Sequence, residues 1–97
     1  MKIIYIERVD DFARKHANAR RSLAAWKSAT LKAEWKTKQQ VLSDFPRAKI
    51  ISSDRARFEI AHNIYCLIAQ IIYELGSVEV RFIGTHNEYN RIDPKTI

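Results

Sequence analysis

The hydrophobic positions along the chain fall into two regimes that meet near Arg47. Upstream, apolar residues recur mostly at helical spacing; downstream they alternate or run together, as strands require. Lys2-Ile3-Ile4-Tyr5-Ile6 is rich in β-branched and apolar residues and predicts a first strand over residues 2–6. Asp10 and Asp11 predict a helix start, because carboxylates suit the first turn; that helix runs from Phe12 to about Ala17. A second helix is predicted from about Ala19 to Trp35. Leu23, Trp26, Thr30 and Ala33 form one face of it, and Arg20, Arg21, Lys27 and Lys32 decorate the rest. Trp26 and Trp35 are read as rings that pin helices onto a sheet, in preference to platforms for bases, because aromatic side chains carry so much core burial. Thr37 predicts the cap of a short helix, Lys38 to Asp44. Val41, Leu42 and Phe45 face inward there, and Pro46 stops it.

Ala48-Lys49-Ile50-Ile51 reads as a strand and Ser52-Ser53-Asp54 as a turn. Arg55 to Ala61 alternates, with Ala56, Phe58 and Ile60 on one side and Arg55, Arg57 and Glu59 on the other. His62-Asn63 predicts a two-residue hairpin turn. Ile64 to Tyr73 is almost continuously apolar, so a central strand covered on both faces is expected. Glu74 to Ser77 turns the chain, Val78 to Ile83 is the last strand, and the chain turns at Gly84. A helical turn from His86 to Ile92 follows, with Pro94 marking its end. Thr85 and Glu88 have the spacing of a capping box. The fold class expected is α+β. An N-terminal strand and two to three helices pack on one face of a mainly antiparallel four- to five-stranded sheet, leaving the other face open, polar and concave. Residues 1–97 read as one domain without repeats or linkers.

Charge narrows the choice of partners. The formal net charge is +6, with a pI near 9.7. Of 17 Lys and Arg, 14 lie at or before Arg57, so the excess is concentrated upstream. A phosphate backbone or an acidic protein segment suits such a surface. The single cysteine, Cys66, excludes an internal disulfide, and the default setting is cytoplasmic. Buried in a central strand, it is read as a small hydrophobe in preference to a nucleophile. No apolar run reaches membrane-span length, and the first residues do not read as a signal peptide. His16 and His62 lack a second ligand at metal spacing, so both are read as surface residues and neither metal nor cofactor is implied. With only Gly76 and Gly84, a Gly-rich phosphate loop is excluded. The remaining candidate chemistry sits just past a rigid strand: His86, Glu88, Tyr89 and Arg91, with Arg81 inside the strand.

Those residues also carry a resemblance. Phe82-Ile83-Gly84-Thr85-His86, then Glu88-Tyr89 and Ile92-Asp93, resembles the C-terminal signature of the HigB family of bacterial toxins, within the RelE-like group that cleaves messenger RNA. Leu23 with Trp26, Ala33 with Trp35, Asp44-Phe45-Pro46, the stretch Phe58 to Ile68, and Thr96-Ile97 extend it over nearly the whole chain. The resemblance implies a translation-dependent, metal-independent endoribonuclease that acts on messenger RNA at the ribosome. It also implies a HigA-like helix-turn-helix antitoxin as inhibitor, with promoter DNA bound only by the toxin–antitoxin complex. It places His86 and Tyr89 in the catalytic site with Arg81 beside them. His86 would be a general acid or base, because imidazole titrates near neutral pH. Tyr89 would donate a proton, orient the phosphate or stack under a base, and Arg81 would clamp phosphate. Each has a plainer reading. His86 and Glu88 could cap the last helix, Tyr89 could be a core contact, and Arg81 could pair with Glu79 or Glu59.

Where the family usually carries Asn, Gly, a Lys-like residue and Arg, this chain has Glu59, His62, Ile64 and Cys66. The Arg expected at Cys66 resembles one that contacts RNA phosphate, and a neutral thiol supplies neither its charge nor its paired donors. Lys49, Arg55, Arg57 and Asn63 are the remaining RNA-binding candidates around that position. The alternative is an attenuated or inactive homologue that binds antitoxin or RNA without useful cleavage.

Overall fold

The computed structural model describes residues 1–97. Its elements, in chain order, are β1 (Lys2–Ile4), α1 (Ile6–Lys15), a 3₁₀ turn (Ala17–Ala19), α2 (Arg20–Lys32), α3 (Lys38–Asp44), β2 (Lys49–Ser52), β3 (Arg55–Ile60), β4 (Tyr65–Ile72), a second 3₁₀ turn (Tyr73–Leu75), β5 (Ser77–Thr85) and α4 (His86–Tyr89). The strands form one sheet in the order β1-β5-β4-β3-β2. β2 through β5 pair antiparallel, and β1 joins β5 in parallel. The α+β class and the five-stranded, mainly antiparallel sheet are as expected, and the parallel edge makes the sheet mixed. No helix is long and apolar enough to cross a membrane.

The alternation along β3 sets the layers. Ala56, Phe58 and Ile60 are buried on the helix side, together with Leu67, Ala69 and Ile71 of β4 and Val78 and Val80 of β5. Phe58 is the centre of this core. The rings of Phe45, Trp26 and Trp35 lie 5.0, 5.6 and 6.5 Å from it, centroid to centroid. Both tryptophans are 2% exposed, in line with the packing role read from the sequence. Trp35 also donates its indole N–H to Asp44 Oδ2 at 2.8 Å, tying the chain after α2 to the end of α3. Thr37 caps α3 as expected, accepting from the Gln40 amide.

Three boundaries differ from expectation. Residues 5 and 6 do not continue the first strand: Tyr5 adopts a left-handed conformation, φ 64°, and α1 begins at Ile6. Ile6, Val9, Phe12 and Ala13 are helically spaced and all pack on the core, so tertiary burial overrides the β-branched start. Asp10 and Asp11 therefore lie inside α1. Asp10 accepts from Lys27 at 2.9 Å and Asp11 pairs with Arg14. α2 stops at Lys32, short of Trp35; Ala33 is extended, and its carbonyl and that of Thr30 accept from the Met1 backbone nitrogen. Finally, Gly84 is not a turn. β5 runs through it to Thr85, and Gly84 pairs with Cys66. Glycine is needed there for space: a Cβ would meet Phe82 Cζ at 2.8 Å and Glu88 Oε1 at 3.0 Å.

The hairpin between β3 and β4 is longer than expected. Ile60 pairs with Tyr65, and the loop holds Ala61, His62 and Asn63 at φ 54°, 55° and 70°. The Ala61 amide donates to Ser22 Oγ at 3.0 Å, fixing the loop to α2. Left-handed geometry costs a residue with a Cβ about 1–2 kcal/mol, more than the extra freedom glycine brings to the unfolded chain. His62→Gly is therefore expected to stabilise the fold by roughly 0.5–1 kcal/mol, measured as a higher midpoint in urea at unchanged m-value.

Candidate functional site

The face of the sheet turned away from the helices is not fully open. In register across it lie Lys49, Arg57, Ile68 and Phe82 in one row, and Glu59, Cys66 and Gly84 in the next. A third row, Arg55, Gln70 and Glu79, crosses β3 to β5. Between Ile68 and Ala69 the pairing with β5 slips by one residue, at Arg81. A bulge lets two successive side chains share a face, and here Arg81 and Phe82 do so.

The chain after β5 then folds back over these rows. Thr85 starts α4 with a complete capping box. Its hydroxyl accepts from the Glu88 amide at 3.2 Å, and Glu88 Oε1 accepts from the Thr85 amide at 2.9 Å. Those bonds, first the Thr85 amide and then its hydroxyl, hold the Glu88 carboxyl below the usual glutamate range. The capping role read for Glu88 is thus present, and it leaves His86 free for another task. His86 Nε2 lies 2.5 Å from the Asn63 carbonyl oxygen, which can only accept. That partner places the ring proton on Nε2 and leaves Nδ1 as the free acceptor of a neutral ring.

Tyr89 sits over the first row. Its ring is 6.3 Å from that of Phe82, and the Arg57 guanidinium lies 5.4 Å from its centroid. Arg57 Nη1 donates to the Tyr89 hydroxyl at 3.3 Å, so the hydroxyl's own proton points elsewhere. Lys49, opposite Arg57 in register, is exposed. His86 with Asn63 of the hairpin loop, and Tyr89 with Arg57 of β3, thus meet at α4, and Lys49 lies beside Arg57 on the neighbouring strand.

Arg55 and Arg81 are placed differently. Arg55 is only 9% exposed, and its Nη1 donates to the carbonyls of Pro94 (3.2 Å) and Ile97 (2.6 Å). Arg81 donates through Nε to the same Ile97 carbonyl at 3.1 Å and through Nη1 to Glu79 at 3.2 Å. The Glu79 pairing was one of the plainer readings of Arg81. The expected open, concave face is thus roofed by residues 86–97 over part of its area. Polar strand residues alone do not reveal such a roof, because short segments without periodicity leave no pattern to read.

Cys66 is fully buried between Glu59 and Gly84. Burial pushes its thiol up, with a smaller push from Glu88 opposed by Arg57. It supplies no charge to this face.

Sequence reasoning missed a second polar group at the same end of the sheet. Tyr65, paired with Thr85, donates to Asn18 Oδ1 at 2.9 Å and lies 3.4 Å from His16 Nδ1. His16 is no isolated surface residue: its ring stacks on Phe12 at 4.1 Å. The four-residue spacing of Phe12 and His16 was the available signal. A cavity of about 760 Å³ lies elsewhere. Arg21, Phe45, Phe58, Glu59 and His62 help line it, and neither His86 nor Tyr89 does. No group of three or more His, Cys, Asp or Glu is arranged to hold a metal.

The model of one protein family, described as HigB_toxin, RelE-like toxic component of a toxin-antitoxin system, matches residues 19–92. No curated protein matches the chain. The matched span takes in α2, the sheet from β2 to β5, and α4.

Two outcomes follow from the local electrostatics. The Cys66 thiol stays protonated at neutral pH, so native protein should react with a maleimide at least on the order of tenfold more slowly than protein in denaturant. Glu88, with its lowered value, adds stability that is complete above the ordinary glutamate range and is lost as pH falls through that lowered value. An NMR titration should show the Thr85 amide resonance moving with the Glu88 carboxyl, below the pH at which a model glutamate titrates.

Proposed function

The chain belongs to the HigB toxin family, RelE-like toxic components of toxin–antitoxin systems, and on that premise we propose that it is an endoribonuclease that cuts messenger RNA on the ribosome. Membership implies an antitoxin partner. In this reading the partner is a HigA-like helix-turn-helix protein, and promoter DNA is bound only by the pair.

The observation that supports cleavage most directly is the placement of His86 and Tyr89 on one short helix, His86 oriented by the Asn63 carbonyl of the hairpin loop and Tyr89 by Arg57 of β3. Cleavage needs no metal if the substrate's own 2′-hydroxyl attacks the adjacent phosphorus. A base removes the 2′ proton, the 2′-oxygen–phosphorus bond forms, the bond to the 5′ oxygen breaks, and an acid protonates that oxygen. The products are a 2′,3′-cyclic phosphate and a free 5′-hydroxyl. In the neutral ring, His86 Nδ1 is the free acceptor and serves as the base. Tyr89, whose oxygen accepts from Arg57, has its proton available for the leaving oxygen. Arg57 against Tyr89, with the exposed Lys49 paired to it in register, supplies positive charge that stabilises the charge building on the phosphate. A small domain with so few groups gains from a substrate held in place by the ribosome.

A second reading is favoured by one specific observation. Cys66 stands, uncharged and buried, where the family usually carries Arg, and Glu59 and Glu88 place carboxylates around it. On that reading the chain binds its antitoxin but cuts poorly.

Mapping of RNA 5′ ends on ribosomes stalled on a defined message separates the two. New ends are expected only when ribosomes are present, and His86→Ala should lower the rate by about 100-fold or more. Cleavage seen only after Cys66→Arg would move the conclusion to the attenuated reading. No ends from either protein would end the nuclease reading.

A further inference from the structure

Arg55 and Arg81 are the two cations on this face that are engaged by the main chain. Arg55 lies on β3 and Arg81 on β5, with β4 between them. Both nevertheless reach one atom, the Ile97 carbonyl oxygen, and so use both of its lone pairs. Arg55 adds a bond to the Pro94 carbonyl. Arg55 is buried and Arg81 is about 30% exposed, and both spend donors on the main chain.

The segment they hold is not loose. The amides of Thr96 and Ile97 donate to the Asp93 carbonyl at 3.1 and 2.9 Å, and the Lys95 amide donates to Asp93 Oδ1 at 3.0 Å. One step back, the Ile92 amide donates to Tyr89, Arg91 to Glu88 and Asn90 to His86, at 3.2, 3.1 and 2.9 Å. Two sets of short-range bonds, joined through the Ile92–Asp93 peptide, thus lie between the two guanidiniums and the helix that carries His86 and Tyr89. A four-residue helix is too short to hold itself in water. Its capping box fixes one end. At the other end the Tyr89 side chain meets Arg57 and Phe82, and the main chain beyond it is held by this strap.

We propose that Arg55 and Arg81 are positioning residues: they hold residues 94–97 on the sheet and thereby keep α4, with His86 and Tyr89, in working geometry. The strap is a property of the fold. Its effect on cleavage rests on the nuclease reading above.

The test pairs two readouts on Arg55→Met, Arg55→Lys, a chain ending at Asp93, and the combination of that chain with Arg55→Met. The first readout is hydrogen exchange. At the amides of Asn90, Arg91 and Ile92, Arg55→Met and the shortened chain should each lose about tenfold or more in protection, since local opening sets exchange there. The amides of Leu67 and Ala69 in β4 should keep theirs, which establishes that the variant is folded. Arg55→Lys keeps a cation but not the fork, and should fall between the parent and Arg55→Met. The second readout is cleavage on ribosomes. Arg55→Met should lower kcat about tenfold with KM and salt dependence unchanged, and the combined variant should be no worse than either alone, as two cuts in one strap require.

A raised KM and a flatter salt dependence for Arg55→Met, with α4 exchange unchanged, would make Arg55 a phosphate contact and overturn the proposal. So would a shortened chain that cuts as well as the parent. If a variant also loses protection in β4, Arg55→Lys and the shortened chain decide. If no protein cuts, the exchange data still decide whether the strap exists, and only the nuclease reading falls.

Discussion

Phe58 lies against the rings of Trp26, Trp35 and Phe45, and much of the molecule follows from keeping it there. Three helices and the extended stretch after α2 contribute to that cluster or pack around it. Burying rings of this size supplies a large share of the favourable free energy of a small domain. Because side chains alternate along a strand, the same contact that turns Phe58 inward turns Arg57 and Glu59 outward. A slip of one residue in β3 would expose Phe58 and withdraw Arg57 from Tyr89. Core packing and candidate chemistry are thus two sides of one strand.

How much of this could be read from the chain depends on whether a residue's partner lies close in sequence or repeats with a period. The inward face of α2, the cap at Thr37, the alternation of β3 and the capping box at Thr85 and Glu88 were all legible, because each is a local pattern. The start of α1 was not. Ile6 looks like strand by propensity, and only its packing with Val9 and Phe12 on the core makes it helix. Gly84 was read as a turn because glycine so often is one, whereas here its lack of a Cβ admits Phe82 and Glu88. Of the candidate site, His86 and Tyr89 were indicated by resemblance. Their partners Asn63 and Arg57 could be nominated but not assigned. The bonds from Arg55 and Arg81 to backbone carbonyls have no sequence signal, because a carbonyl belongs to every residue alike.

The charge on this face is unevenly committed. Arg55 and Arg81 serve the main chain, Arg57 serves Tyr89, and Cys66 adds nothing. On the strands of this face Lys49 is left exposed, and past α4 Arg91 is exposed as well. This is how a chain with net charge +6 can present a weakly cationic candidate site. Net charge is a statement about the whole surface, and here Arg20, Arg21, Lys27 and Lys32 lie on α2, which holds no carboxylate.

The pairing of β1 with β5 has a consequence for the order of assembly. Lys2 meets Ser77, so the first strand finds its neighbour only after α1 to α3 and β2 to β4 have been synthesised. A nascent chain emerging from the ribosome carries β1 as an unpaired edge, and α4 is made later still. Contacts this distant in sequence form late and slowly. The groups proposed to cut RNA therefore meet Arg57 and the Asn63 carbonyl only after the whole of β5 has been made and laid beside β4.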